Sequence, residues 1–213
     1  MNEIVIDAIS RDSGDSRMGR KVLAFVAVWF VVILALALVH GFNAPVGERP
    51  LAILLAISAP VGLFGIAYTL NAAFRDWVLN LDLRHLVLLH SWRMVGMGFV
   101  FLYFHDLLPA LFALPAGLGD AMAALGALFL GIALYEHAAN VSKRRIFLWN
   151  SFGLLDFVLA ISLGVMTRTG ELLQFGQINS DAMGLFPLAL IPAFAVPFYL
   201  ITHLIIYAQL KLR

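Results

Sequence analysis

The 213-residue sequence contains no cysteine. That absence excludes a disulfide framework, thiolate-held iron–sulfur clusters, covalently attached haem and any thiol nucleophile. Charge is also scarce: Asp, Glu, Lys and Arg make up 13% of the chain, against about 25% in ordinary soluble domains. Neither sign dominates, with 14 basic and 13 acidic residues for a net charge of +1. A nucleic-acid binder should instead carry a basic excess. What is present in their place is apolar side chain, 62% of the chain. So small a domain exposes too much surface to hide that fraction from water. Lipid must solvate the remainder, which excludes a soluble globular fold, intrinsic disorder and a collagen-like fibre.

A hydrocarbon core about 30 Å thick needs roughly 20 apolar helical residues per crossing. Six stretches qualify, near 22–42, 51–74, 85–108, 118–138, 146–167 and 185–210. The expected fold is an all-α polytopic helical bundle of about six spans, with residues 1–21 as a cytoplasmic N-terminal segment and 22–210 as one transmembrane domain. No connecting segment is long enough for a separate domain. The first apolar run is longer than the 7–15 residues of a signal peptide and follows a polar segment, so a retained helix is expected.

Basic residues orient the bundle. Arg11, Arg17, Arg20, Lys21, Arg75, Arg84, Lys143, Arg144, Arg145, Lys211 and Arg213 fall on one side, Arg49 and Arg168 on the other, and Arg93 inside a span. Both termini are therefore expected in the cytoplasm. The connection from Leu107 to Gly119 has no charged or hydrogen-bonding side chain but contains Pro109, Pro115, Gly117 and Gly119. Irregular backbone at membrane depth survives only where protein or a water-filled cavity satisfies it. The expectation is an apolar re-entrant or interfacial hairpin between spans three and four, with Asp120 capping the fourth helix. Pro60 and the prolines at 187, 192 and 197 invite kinks in spans two and six.

Ionisable groups inside a span mark a functional site by default, because burying them is costly unless they are paired. At 1.5 Å per residue, Arg93 lies about 12 Å and Asp156 about 15 Å from the cytoplasmic side. The two are expected to pair or to share a buried network. Helical periodicity places His90, Arg93 and Met97 on one face of span three, and Trp149, Gly153, Asp156 and Ala160 on one face of span five. Asn150 is placed to hydrogen-bond across helices. Lys143–Arg145 would touch anionic headgroups.

Histidine offers a second reading. His90 and His105 are 15 residues apart on one span, which suits one haem b ligand in each leaflet, with His203 and His40 as opposite ligands. His105–Asp106 and Glu136–His137 are adjacent pairs, and neighbouring helix positions diverge too far to form a metal ligand set. No metal site is expected, and no cofactor apart from that haem alternative. Enzyme chemistry has little support and no catalytic residue is assigned: there is no H-E-x-x-H, G-x-S-x-G or P-loop pattern. Paired-aspartate proteolysis is set aside because Asp120 is expected near the outer end of its helix and Asp156 near the midplane.

The run Ser91-Trp92-Arg93, the segment Leu108 to Asp120 in the pattern LPA-x-FA-x-PAG-x-GD, and Trp149-Asn150 followed by Gly153 and Asp156 resemble a group of small bacterial multi-pass inner-membrane proteins. The resemblance covers about the middle third of the chain, and PAG-x-GD is its most specific part. It implies an architecture and a bacterial inner-membrane setting, and no ligand or catalytic role. It directs attention to Arg93, Asp120, Asn150 and Asp156 over the histidines. The leading expectation is a small transporter or permeation protein with those four residues as its intramembrane polar centre. The alternatives are a haem-binding transmembrane redox protein and a non-catalytic membrane scaffold or subunit. Expected partners are the lipid bilayer, a small-molecule or ion substrate and copies of the chain in a homo-oligomer, with no nucleic acid.

Overall fold

The computed structural model describes residues 2–45 and 48–212, with side chains described for 16–45, 48–138 and 140–211. The side chains of Arg11 and Arg213 lie outside that set. The elements are α1 (Asn2–Leu38), α2 (Leu51–Leu70), α3 (Ala72–Leu79), α4 (Leu83–Leu89), a 3₁₀ segment (His90–Met97), α5 (Gly98–Phe104), α6 (Ala110–Glu136), α7 (Lys143–Met166) and α8 (Val196–Leu212). Among the described residues, six helical stretches are long and apolar enough to cross a membrane: Ser16–Leu38, Leu51–Leu70, Leu83–Phe104, Ala110–Glu136, Lys143–Met166 and Ile191–Lys211. The outward faces stay apolar, with Leu70 82% and Phe129 64% exposed. That pattern suits lipid rather than water as solvent.

Local chemistry sets the helix ends. Asn71, Asp82 and Ser142 cap α3, α4 and α7, their side chains accepting from the backbone N–H of Phe74, Arg84 and Arg145. Helix α1 stops where His40 turns left-handed (φ 58°) and the Gly41 N–H returns to the Leu36 carbonyl at 2.8 Å. The same motif ends α5: Asp106 has φ 57° and the Leu107 N–H reaches the Leu102 carbonyl at 2.9 Å.

Two expectations about the spans are corrected. The Leu107–Gly119 segment is not a re-entrant or interfacial hairpin. Pro109 sits at the N-cap of α6, and the helix runs unbroken through Pro115, Gly117 and Gly119. Pro109 needs no N–H at the cap, and Pro115, inside the helix, forgoes only its own bond to the Leu111 carbonyl. The glycines here permit close approach, since a Cβ on Gly117 would meet Val100 at 2.7 Å and the Gly96 carbonyl at 3.0 Å. Asp120 is consequently no cap but lies eleven residues inside α6. The sixth span begins at Ile191 rather than 185, because prolines 187 and 192 lack the N–H that would extend the helix upstream. A π-type turn at Ile191–Ala195 leads into α8.

Span three is continuous in sequence but changes pitch. In 3₁₀ geometry, residues three apart eclipse one another. His90, Arg93 and Gly96 therefore form one line, and all three are buried while Met97 is exposed. The α-helical expectation that Met97 shares this face is corrected for that reason. The segment packs against α6 more extensively than any other pair of elements meets.

Candidate functional site

The polar centre forms where the 3₁₀ line faces α6, α7 and α8. Gly96 and Gly119 let the chains approach: a Cβ on Gly96 would collide with the Asp120 side chain, and one on Gly119 with the Asp156 carboxylate. Gly153 is equally confined, since an added Cβ would lie 2.7 Å from His203 Cε1 and 2.8 Å from Arg93 Nη1.

Arg93 sits at the middle of this packing, its side chain 1% exposed. Its Nε donates to Asp120 Oδ1 at 2.7 Å and its Nη2 to Asp156 Oδ2 at 2.5 Å. Nη1 donates to the Gly153 carbonyl at 3.2 Å and faces His203 Nε2 at 3.3 Å. The Phe157 ring centroid lies 3.8 Å from the guanidinium carbon, a cation–π contact on one face of the group. Asp156 is 5% exposed and Asp120 13%. The structure thus brings Arg93, Asp120 and Asp156 into one ion triad, and Asn150 lies one residue shell behind it.

Hydrogen bonding fixes the histidine tautomers. Asn150 Nδ2 donates to the His203 carbonyl at 3.1 Å, which leaves Asn150 Oδ1 as an acceptor 2.7 Å from His203 Nδ1. Nδ1 must carry the proton, and Nε2 presents its lone pair to the guanidinium. Thr202 donates to the Tyr199 carbonyl at 2.8 Å, so its hydroxyl oxygen accepts from His90 Nε2 at 3.0 Å. His90 Nδ1 is buried with no hydrogen-bond partner.

The haem geometry does not fit. The His90 and His203 rings are in direct contact, with centroids 4.1 Å apart and planes tilted by 38°, leaving no gap for an iron and a porphyrin plane. His40 and His105 belong to the turns that end α1 and α5, both exposed, and His105 Nδ1 is 2.9 Å from the Phe101 carbonyl. Among the described residues, no group of three or more His, Asp or Glu is placed to hold a metal ion.

The depth argument also changes. Asp120 and Asp156 meet at Arg93, so the expectation that they lie at different depths is corrected; it rested on starting α6 at residue 118 rather than Ala110. Sequence reasoning missed Phe157, Tyr199, Thr202 and the Gly153 carbonyl. Phe157 follows Asp156 directly, but adjacency alone gave no reason to place its ring on Arg93.

Cavities adjoin the triad. One of about 200 Å³ is lined by Trp92, Arg93, Asp120, Phe157 and Tyr199. A second, of about 70 Å³, has Asp120, Arg168 and Ser180 among its lining residues. Arg168 is itself held by Asp181 at 3.3 Å and by the Ala44 carbonyl at 3.2 Å. Asp120 is therefore a wall of both spaces.

A family profile described as a domain of unknown function (DUF8737) matches residues 50–211. That range holds every residue of the polar centre and leaves out α1. No curated protein and no solved structure matches the chain.

Proposed function

The chain belongs to the DUF8737 family, and we propose that it is a small transporter or permeation protein whose cargo or coupling ion is a cation. The observation that carries this reading is Asp120, a carboxylate shared by the buried triad and by both cavities. With both carboxylates ionised, two negative charges face one guanidinium, while His203 offers that guanidinium a lone pair rather than a charge. A passing cation compensates the surplus, and the low dielectric around the site makes that compensation strong. Asn150, by fixing the His203 tautomer, keeps the lone pair aimed at Arg93. The distribution of basic residues supports both termini being cytoplasmic, and the resemblance carried by the Leu108–Asp120 segment supports a bacterial inner-membrane setting.

The test is flux in proteoliposomes loaded with pH-, sodium- and potassium-sensitive dyes. Flux of a proton, sodium or potassium above that of empty vesicles is expected, and Asp120→Asn should abolish it. Flux equal to empty vesicles for all three ions would sink the proposal. A scaffold reading rests on a different observation: all three guanidinium nitrogens of Arg93 already bond to protein and Phe157 covers one face. It expects no flux together with a strong folding defect in Arg93 variants.

A further inference from the structure

Helix α1 meets the bundle at two places. Near its cytoplasmic end Gly19 lies against Trp77, an added Cβ coming within 3.9 Å of the indole. Ten residues further on, Trp29 and Phe30 close on Phe194 with ring centroids 4.7 and 5.0 Å apart. Between those contacts α1 stands off, and a crevice of about 540 Å³ opens towards α2, α3 and α8. Phe25 forms one wall, Phe64 and Phe198 the other, and Thr202 is its one polar floor residue. Lys21 and Trp77 line the same crevice.

This volume falls within the roughly 300–1,000 Å³ of small-molecule sites. Its apolar walls offer water no partners, and an empty void is penalised in proportion to its size. A hydrocarbon chain fits the walls. The headgroup is set by charge: Lys21 lines the crevice, Arg17 and Arg20 flank it on α1 and Arg75 sits on α3, against Asp76 as the acidic neighbour on α3. An ammonium at the interface beside a Trp is suited to a lipid phosphate.

We propose that the crevice between α1 and the α2–α3–α8 wall binds one anionic phospholipid, its acyl chain between Phe25 and Phe198 and its headgroup at Lys21. The chain then abuts Thr202, whose hydroxyl holds His90 against His203. This site is independent of any transport activity.

The test is native mass spectrometry of the full-length protein, delipidated in mild detergent and titrated with phosphatidylglycerol or phosphatidylcholine of matched chains. One phosphatidylglycerol per chain is expected at concentrations where phosphatidylcholine does not bind. Losing one interfacial cation in Lys21→Gln should weaken binding about fivefold. Filling the crevice with Ala67→Trp should remove binding while far-UV circular dichroism stays unchanged. Equal retention of both lipids, unchanged binding in both variants, or a second copy of the chain in the crevice would each overturn the assignment.

Discussion

The charge count at Arg93 makes a quantitative prediction that simple contact counting does not. Asp120 and Asp156 each bond a different nitrogen of one guanidinium. Replacing either with Asn leaves a balanced one-to-one pair, and the amide oxygen still accepts the bond that the carboxylate made. Each single variant should therefore cost no more than about 1 kcal/mol, the net worth of an ordinary hydrogen bond. The double variant Asp120→Asn/Asp156→Asn strands a guanidinium whose side chain is 1% exposed. Breaking a buried pair in that way costs about 3–5 kcal/mol. The two substitutions should thus be non-additive by about 1–3 kcal/mol, within the range seen for residues sharing one network. Arg93→Met should cost about 3–5 kcal/mol by the mirror-image argument, and the triple neutral variant should recover most of that loss. The assay is reversible unfolding in mixed micelles of dodecylmaltoside and SDS, followed by far-UV circular dichroism. Additive single and double variants, or an Asp120→Asn defect as large as the double, would refute the shared-guanidinium account.

Two other perturbations test separate parts of the structure. Gly153→Ala places a Cβ 2.7 Å from His203 and should destabilise by about 1–3 kcal/mol through overpacking. Gly62→Ala, with nothing within 4 Å, should be neutral or stabilise by up to about 1 kcal/mol in the same unfolding assay. Outside the spans, hydrogen bonds from the Arg84 side chain, reinforced by its backbone N–H and its charge, hold the Asp82 carboxyl down to about 2. A group depressed on folding contributes stability above its unfolded pKa, about 3.9. That contribution should be present above about pH 4 and lost as the pH falls towards about 2. It should be small because the pair is exposed. A carboxyl chemical-shift titration checks it, and an Asp82 midpoint near 4 would contradict the capping geometry.

The legible part of this protein was the part governed by composition and spacing. Apolar runs exposed the six crossings because lipid demands about 20 residues each time. Rise per residue alone puts Arg93 and Asp156 within reach of each other, since α7 is regular over that stretch. Asp120 was misplaced because proline and glycine mean a break in water but not in a membrane helix, where neighbours supply the packing and the backbone bonds stay internal. The same physics hid the histidines' role. Four imidazoles at two depths suggested axial ligands; the chain instead uses His40 to end α1 and His203 to present a lone pair to Arg93.

The pitch change at His90–Met97 was the least accessible feature, and the centre depends on it. Nothing in HSWRMVGM forbids an α-helix. An α-helix would rotate each of these residues about 60° from the one three positions before it, and so Gly96 about 120° from His90. The 3₁₀ segment puts all three in register, so that His90 packs against His203, Arg93 bridges the aspartates, and Gly96 admits Asp120. That alignment is accompanied by the most extensive packing between any two elements, the segment against α6. It follows that Gly96 is as much a part of the ion triad as its charged members: a side chain there displaces Asp120, and with Asp120 goes the wall common to both cavities.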